Sequence, residues 1–100
     1  MTHLGMIRLT ETDRLTIAAI RGRATIRQFA RDVCAEAGVS IHIVMGRNRT
    51  PAICRLRELI WYRAHAEGYS LNQIGRVFGR DHTTVMHGIR NEQLRRGEVA

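Results

Sequence analysis

Apolar positions recur along this chain at helical spacing, in segments punctuated by glycine. The clearest run is Ile26, Phe29, Ala30, Val33, Cys34 and Ala37, at offsets of zero, three, four, seven, eight and eleven, which marks one face of an α-helix. Thr25 precedes it as an N-cap and Gly38 follows as a stop. Upstream, Thr10 and Asp13 have the spacing of a capping box, with Asp in place of Glu. They open a segment in which Leu15, Ala18 and Ala19 line one face of a helix ending near Gly22. Residues 1–9 have no period and read as an arm. Ser40 begins a short stretch, Ile41 to Met45, that fits one or two turns of helix or a brief strand.

Gly46-Arg-Asn-Arg-Thr-Pro51 is a basic loop that ends in a helix start, with Thr50 as N-cap and Pro51 at the first helical position, where its missing N–H costs nothing. The helix that follows runs to about Glu67 and is stopped by Gly68. It places Ile53, Leu56, Leu59, Ile60 and Ala64 on its buried side. Trp61 and Tyr62 read as packing residues; a platform for stacking single-stranded bases needs an aromatic ladder, and none is present.

The stretch from Ser70 to His87 carries the most information. Leu71, Ile74 and Phe78 fall on one helical face, and Val85 and Ile89 resume the spacing after a break at Gly79. That pattern predicts two short helices at an angle across a tight turn. Asp81 is placed as the N-cap of the second helix, and His82, Thr83 and Thr84 as its polar first turn. In a helix-turn-helix those positions reach base edges in the major groove.

At these residues the chain resembles the C-terminal DNA-binding domain of DnaA, the bacterial replication initiator. The resemblance rests on Leu71, Ile74, Gly75, Phe78 and above all the run Gly79-Arg-Asp-His-Thr-Thr-Val85 followed by His87, and extends over roughly Ala24 to Leu94. Two departures stand out. Gly79 is alone before the Arg where the family usually has two glycines, which shortens the turn, and Gly88 replaces a small Ala, a change expected only to loosen packing. The resemblance implies an all-α fold, a small helical bundle carrying a helix-turn-helix of the kind also found in TrpR-like proteins, and a short helix over Ile41–Met45. It implies base reading by Asp81, His82 and Thr83, and minor-groove entry by a basic loop whose equivalents here are Arg47 and Arg49. Arg55, Arg57, Arg76, Arg80 and Thr84 are expected on the DNA backbone, where contacts position a protein without reading sequence. The chain divides on this reading into an arm and extra helix (residues 1–23) and the helix-turn-helix domain (residues 24–96).

Charge agrees with a nucleic-acid partner. The formal net charge is +7 and every one of the sixteen Lys or Arg positions is arginine, the side chain that grips phosphate and guanine bidentately. A GC-rich genome with a preference for arginine codons would give the same bias. Location is more telling than total. From Arg47 to Arg96 ten arginines face only Glu58, Glu67, Asp81 and Glu92, whereas residues 1–46 hold six arginines against four acids. The positive field belongs to the half with the helix-turn-helix.

Other chemistries find little support. Asp81, His82 and Thr83 are consecutive and point in different directions from a helix, so they cannot orient one another as a triad does. His82 and His87 are five apart, where a shared metal face needs three or four. Cys34 and Cys54 lack partners for a zinc ribbon or a redox pair and read as free thiols of a reducing compartment. No Walker-type phosphate loop occurs, although a complete initiator of this family needs an ATPase module. The sequence therefore points to a protein that is not an enzyme, needs no cofactor, metal or small-molecule substrate, and works in the cytoplasm on the nucleoid without touching membrane. Double-stranded DNA is the expected partner, with RNA polymerase or another transcription protein as a second. The expected role is a promoter-recognising transcription regulator of bacterial or phage type; the alternative is replication-origin binding, as an excised initiator domain or a competitor for its boxes. A protein-interaction module that has lost DNA binding is disfavoured, because Asp81, His82 and Thr83 are all present.

Overall fold

The computed structural model describes residues 10–98, so the arm expected over residues 1–9 lies outside them. Five helices follow one another: α1 (Glu11–Ala37), α2 (Ile41–Met45), α3 (Pro51–Ala66), α4 (Leu71–Phe78) and α5 (His82–Arg96). The all-α bundle read from the sequence is the observed class, and the short Ile41–Met45 segment is helical.

The sequence predicts two helices meeting between Gly22 and Thr25, but α1 passes through without a break. Both supposed punctuation marks have other uses. The Thr25 hydroxyl donates to the Arg21 carbonyl (2.9 Å), which satisfies it inside the helix. Gly22 is buried where an added Cβ would stand 3.2 Å from the Tyr69 ring, so it is small for packing and stops nothing. The boundary drawn at residue 23 thus falls inside α1. The start of α1 does follow the sequence: the Thr10 N–H donates to Asp13 Oδ2 and the Asp13 N–H to Thr10 Oγ1, both at 3.0 Å. Leu15 is 65% exposed, not docked, and the side chains of Ala18 and Ala19 lie outside the described set.

Each helix gives one stripe to a single core. Ile26, Ala30, Val33 and Cys34 come from α1, Val44 from α2, and Ile60, Trp61 and Ala64 from α3. Ile74, Val77 and Phe78 come from α4, and Val85 and Ile89 from α5. Phe29, expected inside, is half-buried against this cluster. Trp61 packs its edge on Phe78, with ring centroids 5.7 Å apart and planes at 87°. Here one expectation is overturned. At Gly88 a Cβ would stand 2.5 Å from Trp61 Cε3, so this glycine is the close approach that seats the indole under α5, and does not loosen the packing. Among the described residues no helix is long and apolar enough to cross a membrane.

Candidate nucleic-acid interface

The helix-turn-helix is fixed at both ends of α4. Ser70 and Gln73 form a full capping box, Ser70 N–H to Gln73 Oε1 at 2.8 Å and Gln73 N–H to Ser70 Oγ at 3.1 Å. The spacing Ser-x-x-Gln is the sequence signature of such a box. Gly79 then ends α4 at φ 63°, a left-handed conformation that disfavours side chains with a Cβ. One glycine suffices for the turn because the next residue closes it: the Arg80 N–H donates to the Gly75 carbonyl at 2.8 Å. The returning chain runs against Gly75, where a Cβ would meet the Arg80 carbonyl oxygen.

The turn presents the first residues of α5 to solvent. Asp81 and His82 are 65% and 55% exposed at the side chain, and the carboxylate lies 3.2 Å from His82 Nδ1. Asp81 occupies the N-cap position, but its side chain makes no cap bond. Its polar neighbour is His82, and both side chains face solvent. Thr83 is half-buried and Thr84 exposed. A helix turns about 100° per residue, so with Val85 and Ile89 facing the core the outward arc holds Thr83, Met86, His87 and Arg90, while His82 is exposed because it is the first residue of the helix. Met86, His87 and Arg90 carry no expected base-reading role from the sequence, although spacing from Val85 places them outward.

Arg47 and Arg49 sit in the loop between α2 and α3, exposed, at the rim of a cleft of about 610 Å³ whose lining includes Arg57, Arg80, Thr84 and His87. The loop is held from below. Arg57 is only 5% exposed and donates Nε to the Val44 carbonyl (2.9 Å) and Nη2 to those of Gly46 (3.2 Å) and Asn48 (2.9 Å). This corrects its assignment to the DNA backbone: the guanidinium is occupied in shaping the loop that carries Arg47 and Arg49. Arg80, half-buried, plays a related part by donating Nη1 to the Phe78 carbonyl (2.8 Å) and Nη2 to that of Gly46 (2.7 Å). The Gly46 carbonyl therefore accepts from both arginines, and the basic loop is tied to the helix-turn-helix at one atom. Arg55 and Arg76 are exposed, as a phosphate contact requires.

Burial, together with the positive charges of Arg57, Arg47 and Arg49, holds the Arg80 guanidinium below its ordinary value. The one acid lining the cleft, Glu58, is committed elsewhere. It accepts from Arg95 Nη2 at 2.6 Å and Asn91 Nδ2 at 3.1 Å. Glu92 takes Arg95 and Arg96 at 2.9 and 2.8 Å, and Arg96 also lies 4.3 Å over the Tyr62 ring. The far end of α5 is electrically balanced while the loop and turn are left positive. Cys34 is buried and Cys54 half-buried, both free; burial pushes the Cys34 thiol up. Among the described residues no three His, Cys, Asp or Glu side chains are grouped to hold a metal.

Two helices across a left-handed glycine turn, the second bare at its N-terminus beside a basic loop, define a helix-turn-helix of the DNA-binding class. Residues 26–91 match the family model described as the bacterial dnaA protein helix-turn-helix, and the chain belongs to that family. It is similar to the chromosomal replication initiator protein DnaA of Cereibacter sphaeroides, at 39% identity over 68% of this chain and 15% of the relative. The protein of the same name from Thermomicrobium roseum is 39% identical over 80% of this chain and 18% of its own length. That from Zymomonas mobilis is 33% identical over 87% and 19%. The chain thus spans less than a fifth of the length of these relatives. No solved structure matches it significantly.

Proposed function

We propose that the chain binds double-stranded DNA by sequence, and that its sites are the boxes recognised by a bacterial replication initiator. The observation that carries this reading is the tie at Gly46, which joins the loop bearing Arg47 and Arg49 to the turn that presents Asp81 and His82. A duplex laid across that surface meets two readers at a fixed spacing. In the major groove the Asp81 carboxylate accepts from a cytosine amino group, His82 meets a base edge and Thr83 offers a hydroxyl and a methyl. Arg47 and Arg49 enter the neighbouring minor groove. Arg55, Arg76 and Thr84 grip phosphates, and Arg57 and Arg80 keep the loop in register.

Origin-box binding, as an initiator domain or a competitor for its boxes, is supported over promoter regulation by the relatives, which carry the initiator's name. No relative or surface feature favours RNA polymerase as a partner. Selection from a random-sequence duplex library tests the reading. Enrichment of the initiator box of the same organism sustains it; enrichment of an unrelated operator restores the promoter regulator, and no enrichment removes both.

A further inference from the structure

We propose that the cleft between the α2–α3 loop and α5 is a receptor for a free triphosphate chain, inorganic or carried by a nucleotide, and that its occupation displaces duplex DNA. The displacement rests on the duplex-binding reading above; the site itself does not. Arg47, Arg49, Arg57 and Arg80 all line this cleft of about 610 Å³, a size within the roughly 300–1,000 Å³ of small-molecule sites. Glu58, the acid in the lining, is held by Arg95 and Asn91. Neither Arg47 nor Arg49 has a carboxylate partner among the described residues. The guanidinium charges therefore share one concavity without a counter-charge of their own, and a cleft lined by one sign concentrates the field.

The donors suit phosphate. Arg80 spends N–H groups on the Phe78 and Gly46 carbonyls, but a guanidinium has about five, so others stay available. Arg57 is committed to the carbonyls of Val44, Gly46 and Asn48 and supplies charge from below. The exposed Arg47 and Arg49 can close from the loop with bidentate bonds, and Thr84 offers a hydroxyl from α5. A duplex strand brings its charges one per nucleotide, about 3.4 Å apart along the axis, whereas a triphosphate concentrates several in a chain small enough for the cleft. The crowding of cations is already felt at Arg80, where burial and the charges of Arg57, Arg47 and Arg49 hold the guanidinium below its ordinary value. A compact polyanion relieves that repulsion more fully than an extended backbone does.

The test uses the full chain, and its first readout needs no DNA. Inorganic triphosphate is titrated calorimetrically against a sulfate control of equal ionic strength. In parallel Cys54, half-buried in the same cleft, is alkylated with uncharged iodoacetamide, with the buried Cys34 as internal control. Saturable binding of a single triphosphate and slower alkylation of Cys54 are expected. Cytidine triphosphate should bind equally, because Trp61 in the cleft wall is 3% exposed and gives a base little to stack on; tighter binding would assign the same site to nucleotides. Arg49→Gln should weaken triphosphate about tenfold, the worth of one charge-assisted contact, with unchanged melting because the side chain is exposed. Arg76→Gln, outside the cleft, should keep triphosphate affinity while weakening the duplex. In anisotropy competition triphosphate should displace a library-selected duplex at concentrations where the sulfate control does not. Heats and alkylation rates no different from those in sulfate overturn the site, and saturable binding without displacement overturns the regulation. A library that yields no bound duplex overturns the binding reading and the displacement with it, while calorimetry still decides the site.

Discussion

The two halves of α5 are built in opposite ways. Its last turns are tied to α3 by the Arg95–Glu58 ion pair and by Arg96 over the Tyr62 ring, Glu92 holds both arginines from within the helix, and Gly88 lies directly on the Trp61 ring. Its first turns carry Asp81, His82, Met86 and Arg90 outward with no ion pair to another element among the described residues. One half is an anchor and the other is left open, the surface proposed above to read bases. The contrast teaches that rigidity and availability are supplied by different residues on one helix, so that substitutions should separate stability from recognition according to the half they touch.

Both halves rest on the same core, and Ile74 lies beneath them at 0% exposure. Ile74→Ala should destabilise by about 2–5 kcal/mol, read by thermal or denaturant unfolding; near-unchanged melting would mean that α4 does not bear on α5 as described. Arg57→Ala comes next. It leaves the carbonyls of Val44 and Asn48 without their charged donor and that of Gly46 with Arg80 alone, a loss of about 1.5–3 kcal/mol. Well below the melting midpoint it should also weaken matched and scrambled duplexes together, because the loop arginines lose their seat. Normal stability in this variant would return Arg57 to the DNA backbone. In the anchored half, Glu92→Ala should cost about 1 kcal/mol, since its arginine partners are over a third exposed and solvent screens the pairs. Its ratio of matched to scrambled affinity should stay at the wild-type value. Asp81→Ala should be smallest in stability, within about 0.5 kcal/mol, because the carboxylate makes no cap bond. A clear drop in melting temperature would place it back in the helix cap.

The same contrast explains what could be read from the sequence. The anchored core was legible because its residues obey a period: Ile74, Phe78, Val85 and Ile89 were assigned inside from spacing alone, and they are inside. The expected roles of Asp81, His82 and Thr83 come from the resemblance, since spacing says which residues face outward and not what they touch. What failed was everything decided by a distant neighbour. Gly22 and Thr25 look like a helix boundary until Tyr69 is seen against the glycine. Arg57 looks like the other surface arginines until three carbonyls from α2 and the following loop close on it. Gly88 appears slack until Trp61, twenty-seven residues earlier, fills the space.

Fluorescence anisotropy is the most direct test of the central claim, that the first turn of α5 reads bases. His82→Ala and Thr83→Ala are titrated against the selected duplex and a scrambled one at two salt concentrations. Wild-type affinity should fall steeply with salt on both duplexes, with a slope reflecting roughly five to eight neutralised phosphates. Each variant should lose about 1–3 kcal/mol on the selected duplex, hold its affinity for the scrambled one, and keep the wild-type salt slope. Equal losses on the two duplexes would contradict the account, because this end of the helix would then grip only the backbone.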